Sequence, residues 1–426
     1  MTDLASLSAP LSLPSGLQLP NRIVKAAMSE NMATEQGEPT DALVRLYERF
    51  GEGGAGMLLS GNVIVAPGGR TETHNVVVED DRHLPQLRRW AEAAQAHGSR
   101  LFMQISHAGR QTPKMVTADP VGPSDVPMVG MAGLFARPRA LTPAEIEGLV
   151  QRFANTARVA KEAGFAGVQL HGAHGYLISQ FLSPRTNLRE DAWGGELAGR
   201  MKFLLQIVER TRAAVGPAFP IAVKLNSADF QKGGFSLEDS MAVAQALEAA
   251  GIDLLEISGG SYESPRMMGD GAEKRESTRR REAFFFEYAE QMRASVGMPL
   301  LLTGGFRTAA AMADALASGA IDLVGIARPI ALEPDLPRRL LSGEAASARA
   351  NDPSVGVRLL DSMLQLGWYQ RQMARMGAGL DPDPKLSNWG TIVRMLGGNV
   401  ASIFARILRR PPRDALAAAP VESAAR

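Results

Sequence analysis

The stretch EAGFAGVQLHGAHGY, residues 162 to 176, decides the fold. A helical pattern ends at Gly164, and a short apolar run follows at once. Glycine suits the left-handed position that closes a helix, and an apolar run without alternation suits a parallel strand covered on both faces. The same junction recurs as EGGAGMLLSG (52–61), EAAGIDLLEISGG (248–260) and ASGAIDLVGIAR (317–328). Adding NRIVKAAMS (21–29), RLFMQISHAG (100–109), FPIAVKLNS (219–227) and MPLLLTGG (298–305) predicts eight strands, starting near residues 22, 57, 101, 166, 220, 252, 299 and 321. Helical patterns lie between them, over 81–97, 142–163, 236–250 and 308–318 among others. Repeated βα units predict an α/β fold, a (β/α)8 TIM barrel. The competing arrangement is an open doubly wound sheet, which has fewer strands and a glycine-rich dinucleotide turn. No GxGxxG follows any of these strands.

Composition bounds the function. The chain has 426 residues, of which 45% are hydrophobic, with 46 basic against 45 acidic side chains. A net charge of +1 points to no nucleic-acid partner. No run approaches the ~18 apolar residues of a membrane span, and the N-terminal stretch has no charged-then-apolar signal pattern. There is no cysteine, which excludes disulfides, thiolate zinc sites, a cysteine nucleophile and cysteine-ligated iron–sulfur clusters. A soluble cytoplasmic protein is the expectation, and a homo-oligomer stays open. The barrel is expected over residues 1–345. A helical C-terminal extension follows over 346–426, amphipathic in PSVGVRLLDSMLQLGWYQRQMARMG and WGTIVRMLGGNVASIFARILRR and ending in an Ala- and Pro-rich tail without structure.

Polar residues gather where the strands end: Ser29, Gly61, Gln104, His107, His171, His174, Lys224, Asn226, Ser258, Gly304 and Arg328. In a barrel these converge on one rim, where active sites of this fold sit. LTGGF (302–306) and GIARP (325–329) lie at the usual phosphate site, with glycines for close backbone approach and Arg328 for a charged contact. Lys224 is a Schiff-base nucleophile or a fixed cation against an anionic cofactor. The Gln104 amide can read a heterocycle edge, and Ser29 offers a hydroxyl. His171, His174 and Tyr176 admit three readings: metal ligands, a packed structural group, or two imidazole donors aimed at an oxygen that gains charge, with Tyr176 as an acid. A proline-rich loop over 111–140 and a Gly- and Arg-rich loop over 259–283 are expected to overhang the rim. Within the second, the arginines of 274–281 are candidates to dock the phosphates of a nicotinamide donor.

From about residue 10 to 340 the chain resembles the Old Yellow Enzyme family of FMN-dependent ene-reductases and NADH:flavin oxidoreductases. The resemblance rests on LPNRIVKAAMSE, FMQISHAGRQ, the long block from ALTPAEIEGL to NLREDAWGG, VKLNSADF, LEISGG, TGGF and GIARP. It implies FMN as cofactor, NADH or NADPH as hydride donor, and an enone-like small molecule as substrate. It implies that Ala27, Met28 and Ser29 lie along the flavin, with Ser29 near its O4/N5 edge, and that Gly61 and Gln104 contact the ring. Lys224 is implied at N1/C2=O, and Gly304, Gly305, Ala327 and Arg328 at the phosphate. His171 and His174 are implied as catalytic donors to the substrate's activating oxygen, Tyr176 as the proton source, and His107 as a buttress. Ser29 departs from the cysteine or threonine of many members. The cysteine cluster and nucleotide domains of the larger 2,4-dienoyl-CoA reductase-like members are absent from this chain. A flavin-dependent NADH oxidase or demethylase is the alternative within the class, and a non-redox phosphate-ligand barrel the alternative outside it.

Overall fold

A computed structural model describes residues 4–129, 133–258, 276–349 and 351–395, without the side chains of 276–285, 358–359 and 362–363. Its centre is a parallel barrel of β1 (Ile23–Lys25), β2 (Met57–Ile64), β3 (Arg100–Ser106), β4 (Gly167–Gly172), β5 (Ile221–Asn226), β6 (Leu254–Ser258), β7 (Leu300–Thr303) and β8 (Leu323–Ile326). Each strand pairs with the next in sequence, and β8 closes on β1 through Val324 opposite Ile23. The surrounding helices are α1 (Asp41–Glu52), α2 (Leu84–Gln95), α3 (Pro143–Glu162), α4 (Leu197–Val215), α5 (Leu237–Ala249), α6 (Glu276–Ser295), α7 (Ala309–Ala317) and α8 (Leu336–Leu341). A further helix, α9 (Arg358–Gly377), follows the barrel. The fold is a (β/α)8 barrel.

Local chemistry sets the helix ends. Thr142 caps α3 in a reciprocal box with Glu145, ahead of a proline in the first turn. Ser236 and Thr308 cap α5 and α7 by accepting from the third backbone N–H beyond them. Two expectations need correction. The helix expected from residue 81 opens as a single 3-10 turn, Asp81–His83, because Asp80 caps that turn and α2 starts afresh at Leu84 with a proline in its first turn. Residues 276–283, expected as loop, begin α6. The rest of that loop, 259–275, and the Arg279 and Arg280 side chains lie outside the described residues.

The barrel floor is apolar. Val24, Met57, Leu59, Phe102, Ala222, Leu254, Leu301 and Leu323 form one buried cluster, plugged by Leu13 and Leu19 from the hairpin Leu11–Ser12 with Gln18–Leu19. Gly167 makes room for the Phe102 ring, which a Cβ there would strike. One turn higher the inward positions become polar: Gln104, Gln169, Lys224 and Glu256. A buried polar layer is tolerated only when its groups pair, so this layer marks where the scaffold stops and the site begins.

Candidate active site

The polar layer is a connected chain. Gln104 Nε2 donates to Gln169 Oε1 at 2.7 Å, and Gln169 Nε2 donates to Glu256 Oε2 at 2.7 Å. Lys224 Nζ lies 3.0 Å from Glu256 Oε1, with Glu256 fully buried. The register places Lys224 beside Glu256 on one neighbouring strand and beside His171 on the other. Lys224 therefore arrives in the barrel mouth with its charge already offset from below. Sequence reading found Gln104 and Lys224 but missed Gln169 and Glu256. Their signal was a polar residue inside each of the buried runs VQLHG and LLEIS, at the inward period of the strand.

His171, His174 and Tyr176 come together as expected. Ring centroids of His171 and His174 are 5.0 Å apart, His171 and Tyr176 4.8 Å, and His174 and Tyr176 6.5 Å. His171 Nδ1 accepts from the Ala173 amide at 3.2 Å, which assigns its proton to Nε2. His174 sits at φ 60°, a left-handed conformation uncommon for a residue with a side chain. Its amide donates to Asn226 Oδ1 at 3.1 Å, its carbonyl accepts from Gln111 Nε2 at 3.0 Å, and its Nε2 meets Ser258 Oγ at 2.7 Å. Backbone strain of this kind persists where the surroundings over-determine it, as these three partners do. Burial holds both imidazoles well below their ordinary pKa; the other imidazole and then Lys224 add to this at His171, and Lys224 at His174. Both rings are neutral at physiological pH, each with one N–H to donate. Among the described residues no group of three histidine or carboxylate side chains is placed to hold a metal ion. His107 lies behind the rim. Its Nδ1 accepts from the Gly109 amide at 3.0 Å, its carbonyl accepts from the Leu177 amide at 2.9 Å, and its ring leaves Gly69 no space for a Cβ.

The opposite side of the rim follows β1 and β2. Ala27, Met28 and Ser29 are half-buried. The Ser29 hydroxyl donates to Glu72, a half-buried acid that sequence reading missed. Behind them, Lys25 is buried against Tyr47 and donates to its hydroxyl at 3.0 Å and to the Leu59 carbonyl at 2.7 Å. Desolvation lowers its pKa to about 8. Tyr47 donates to Glu30, which also accepts from the Gly61 amide at 2.8 Å. A Cβ at Gly61 would collide with the Glu30 carboxylate and the Met28 carbonyl. Gly61→Ala is therefore expected to cost about 1–3 kcal/mol by overpacking and to displace this edge of the rim. Denaturant titration checks it, and a midpoint equal to wild type would show that Glu30 yields freely.

The β7 and β8 ends complete the circle. Gly304 and Gly305 adopt φ 128° and 77° at an exposed position, and Thr303 pairs in register with Gly325. Arg328 opens a short helix, Arg328–Leu332, directly after Ala327. Its Nη1 donates to Gln365 Oε1 at 3.0 Å.

Residues 6–346 match the model of the NADH:flavin oxidoreductase / NADH oxidase family. The chain is 36% identical over 388 residues to the NADH-dependent flavin oxidoreductase iliE of Hypocrea jecorina, covering 86% of this chain and 95% of that protein. It is 36% identical over 362 residues to iliE of Neonectria sp., where it covers 79% of this chain but spans only 47% of the relative. Among solved structures it resembles the old yellow enzyme homologue of Zymomonas mobilis, with TM-score 0.68, 25% identity, and coverage of 81% of this chain and 94% of that one. The order of the βα units, the rim they build and these similarities agree: the chain belongs to the NADH:flavin oxidoreductase / NADH oxidase family, the Old Yellow Enzyme family of FMN-dependent oxidoreductases.

Proposed function

We propose that the protein is an FMN-dependent reductase that uses NADH or NADPH to saturate the activated C=C bond of an α,β-unsaturated carbonyl compound. The observation that carries this reading is the neutral His171–His174 pair, with Tyr176 against His171 at 4.8 Å between ring centroids. The donor set fits FMN. Gly304 and Gly305 offer backbone in conformations open to glycine, Arg328 offers a guanidinium for the phosphate, and Lys224 a cation in the mouth. Gln104, Gly61 and the Ala27–Ser29 segment would hold the ring. When bound, FMN supplies the two-electron carrier between a reduced nicotinamide and the alkene.

The side chains do the remaining work. His171 Nε2–H and the His174 imidazole bind the carbonyl oxygen and stabilise the charge that grows on it. Ser258, now on His174 Nε2, orients that ring until the substrate oxygen takes the position. The Tyr176 hydroxyl supplies the proton to the carbon α to the carbonyl. Neutral donors suit this task, because they need no proton from solvent to be ready.

The test uses the purified protein. A yellow preparation with flavin absorbance near ~450 nm, bleached anaerobically by NADH or NADPH and restored by 2-cyclohexenone, is the expected result. Restoration by oxygen but not by the enone would replace the reading with an NADH oxidase. A colourless protein that takes up no added FMN would move it to the non-redox phosphate-ligand class.

A further inference from the structure

The family match ends at residue 346, yet the next helix returns to the rim. α9 is seated on α1. Arg45 Nε donates to the Gly377 carbonyl at 2.7 Å, and Arg49 pairs with Asp381 just beyond the helix. Gly377 itself lies so close that a Cβ would stand 2.6 Å from the Ala42 carbonyl. Leu364, Trp368, Met373 and Met376 are buried in the same cluster as residues of α1. This seating aims two glutamines at residues of the proposed cofactor site. Gln365 Oε1 accepts from Arg328, as described. Gln370 Nε2 donates to the Ser29 carbonyl at 3.2 Å and to Glu72 Oε1 at 2.6 Å, while Glu72 Oε2 accepts from the Ser29 hydroxyl.

We propose that α9 is a working part of the cofactor site: Gln370 acts through Glu72 to set the direction in which the Ser29 hydroxyl donates, and Gln365 holds the Arg328 guanidinium in place. The inference rests on the FMN reading above. Glu72 is half-buried beside Glu30 and His74, and desolvation raises its pKa. The hydrogen bonds from Ser29 and Gln370, and then the charge of His74, pull it down, while Glu30 pushes it up. An ionised carboxylate only accepts, so Ser29 spends its proton on Glu72 and turns a lone pair toward the site. Without the Gln370 amide the protonated carboxyl gains. A protonated carboxyl donates, and the Ser29 hydroxyl is then released to donate toward the bound cofactor. Both glutamines are positioning residues, because neither needs to touch the cofactor.

Gln370→Ala and Gln365→Ala test this, since alanine is the best helix former and keeps α9 intact. Gln370→Ala is expected to raise the flavin midpoint potential and shift the visible band, and to add nothing further in a Ser29→Ala background. Gln365→Ala is expected to raise the FMN dissociation constant about tenfold, the scale of one weakened contact, with the helical content by circular dichroism unchanged. Wild-type protein that binds no FMN overturns the functional reading and this inference together. Wild-type protein that binds FMN, with a Gln370→Ala shift that is absent or persists equally without the Ser29 hydroxyl, overturns the role of Gln370 alone. An unchanged FMN affinity in Gln365→Ala overturns that of Gln365.

Discussion

His171→Ala combined with His174→Ala is expected to slow reoxidation of the reduced flavin by 2-cyclohexenone by roughly 10²-fold or more, the scale for loss of oxyanion donors. Reduction by NADH or NADPH should change less, because the nicotinamide presents no oxygen that gains charge at this position. The wild-type reoxidation rate should stay flat above neutral pH, because burial already holds both imidazoles neutral. Tyr176→Phe should separate from the histidine variant: enone binding persists, and turnover falls for substrates whose enolate water protonates slowly. EDTA should leave every rate unchanged. Stopped-flow traces of the two half-reactions decide the matter. An undiminished reoxidative rate in the double variant would sink the carbonyl-clamp assignment, and loss of activity on chelation would return the pair to the metal reading.

Lys224 carries the second large effect, and its partner changes how it must be tested. Lys224→Met leaves the fully buried Glu256 carboxylate without its cation. Breaking a buried ion pair on one side costs about 3–5 kcal/mol, so the single variant is expected to melt early whatever its role with FMN. Pairing it with Glu256→Gln removes the stranded charge. Gln169 Nε2 still finds an oxygen at 256, because the amide keeps one acceptor. The double variant is expected to regain most of the stability while holding FMN weakly and at a lowered midpoint potential. Thermal melts with flavin-fluorescence titration separate the two effects. If the double variant melts like wild type and retains FMN at the wild-type potential, Lys224 serves the barrel and not the cofactor.

How much of this was legible in advance depended on the range of the interaction. Strand and helix positions were readable because their signals are local. Thr142 with Glu145, Ser236 and Thr308 mark helix starts within one turn, and closing glycines such as Gly164 and Gly251 stand directly before buried runs. The His171–His174–Tyr176 group was readable for the same reason, since six consecutive positions at one strand end share one rim. The 3-10 opening at Asp81 was missed because a cap at Asp80 and a proline at Pro85 reset the helix without breaking its apolar period.

Sequence alone determined the barrel and the rim on which its strands end, because parallel βα units allow a single handed closure and place every strand end on one face. The family was legible only as a resemblance carried by motifs such as FMQISHAGRQ and GIARP. Only the tertiary structure decided what stands behind those residues. Glu256 under Lys224 requires the register between β5 and β6. Ser29, Glu72 and Gln370 meet across separations of 43, 298 and 341 residues, as do Arg328 and Gln365 on the returning helix. No period or cap encodes such meetings. They exist because closure of the barrel and the seating of α9 on α1 bring distant polar groups within hydrogen-bonding reach of one another.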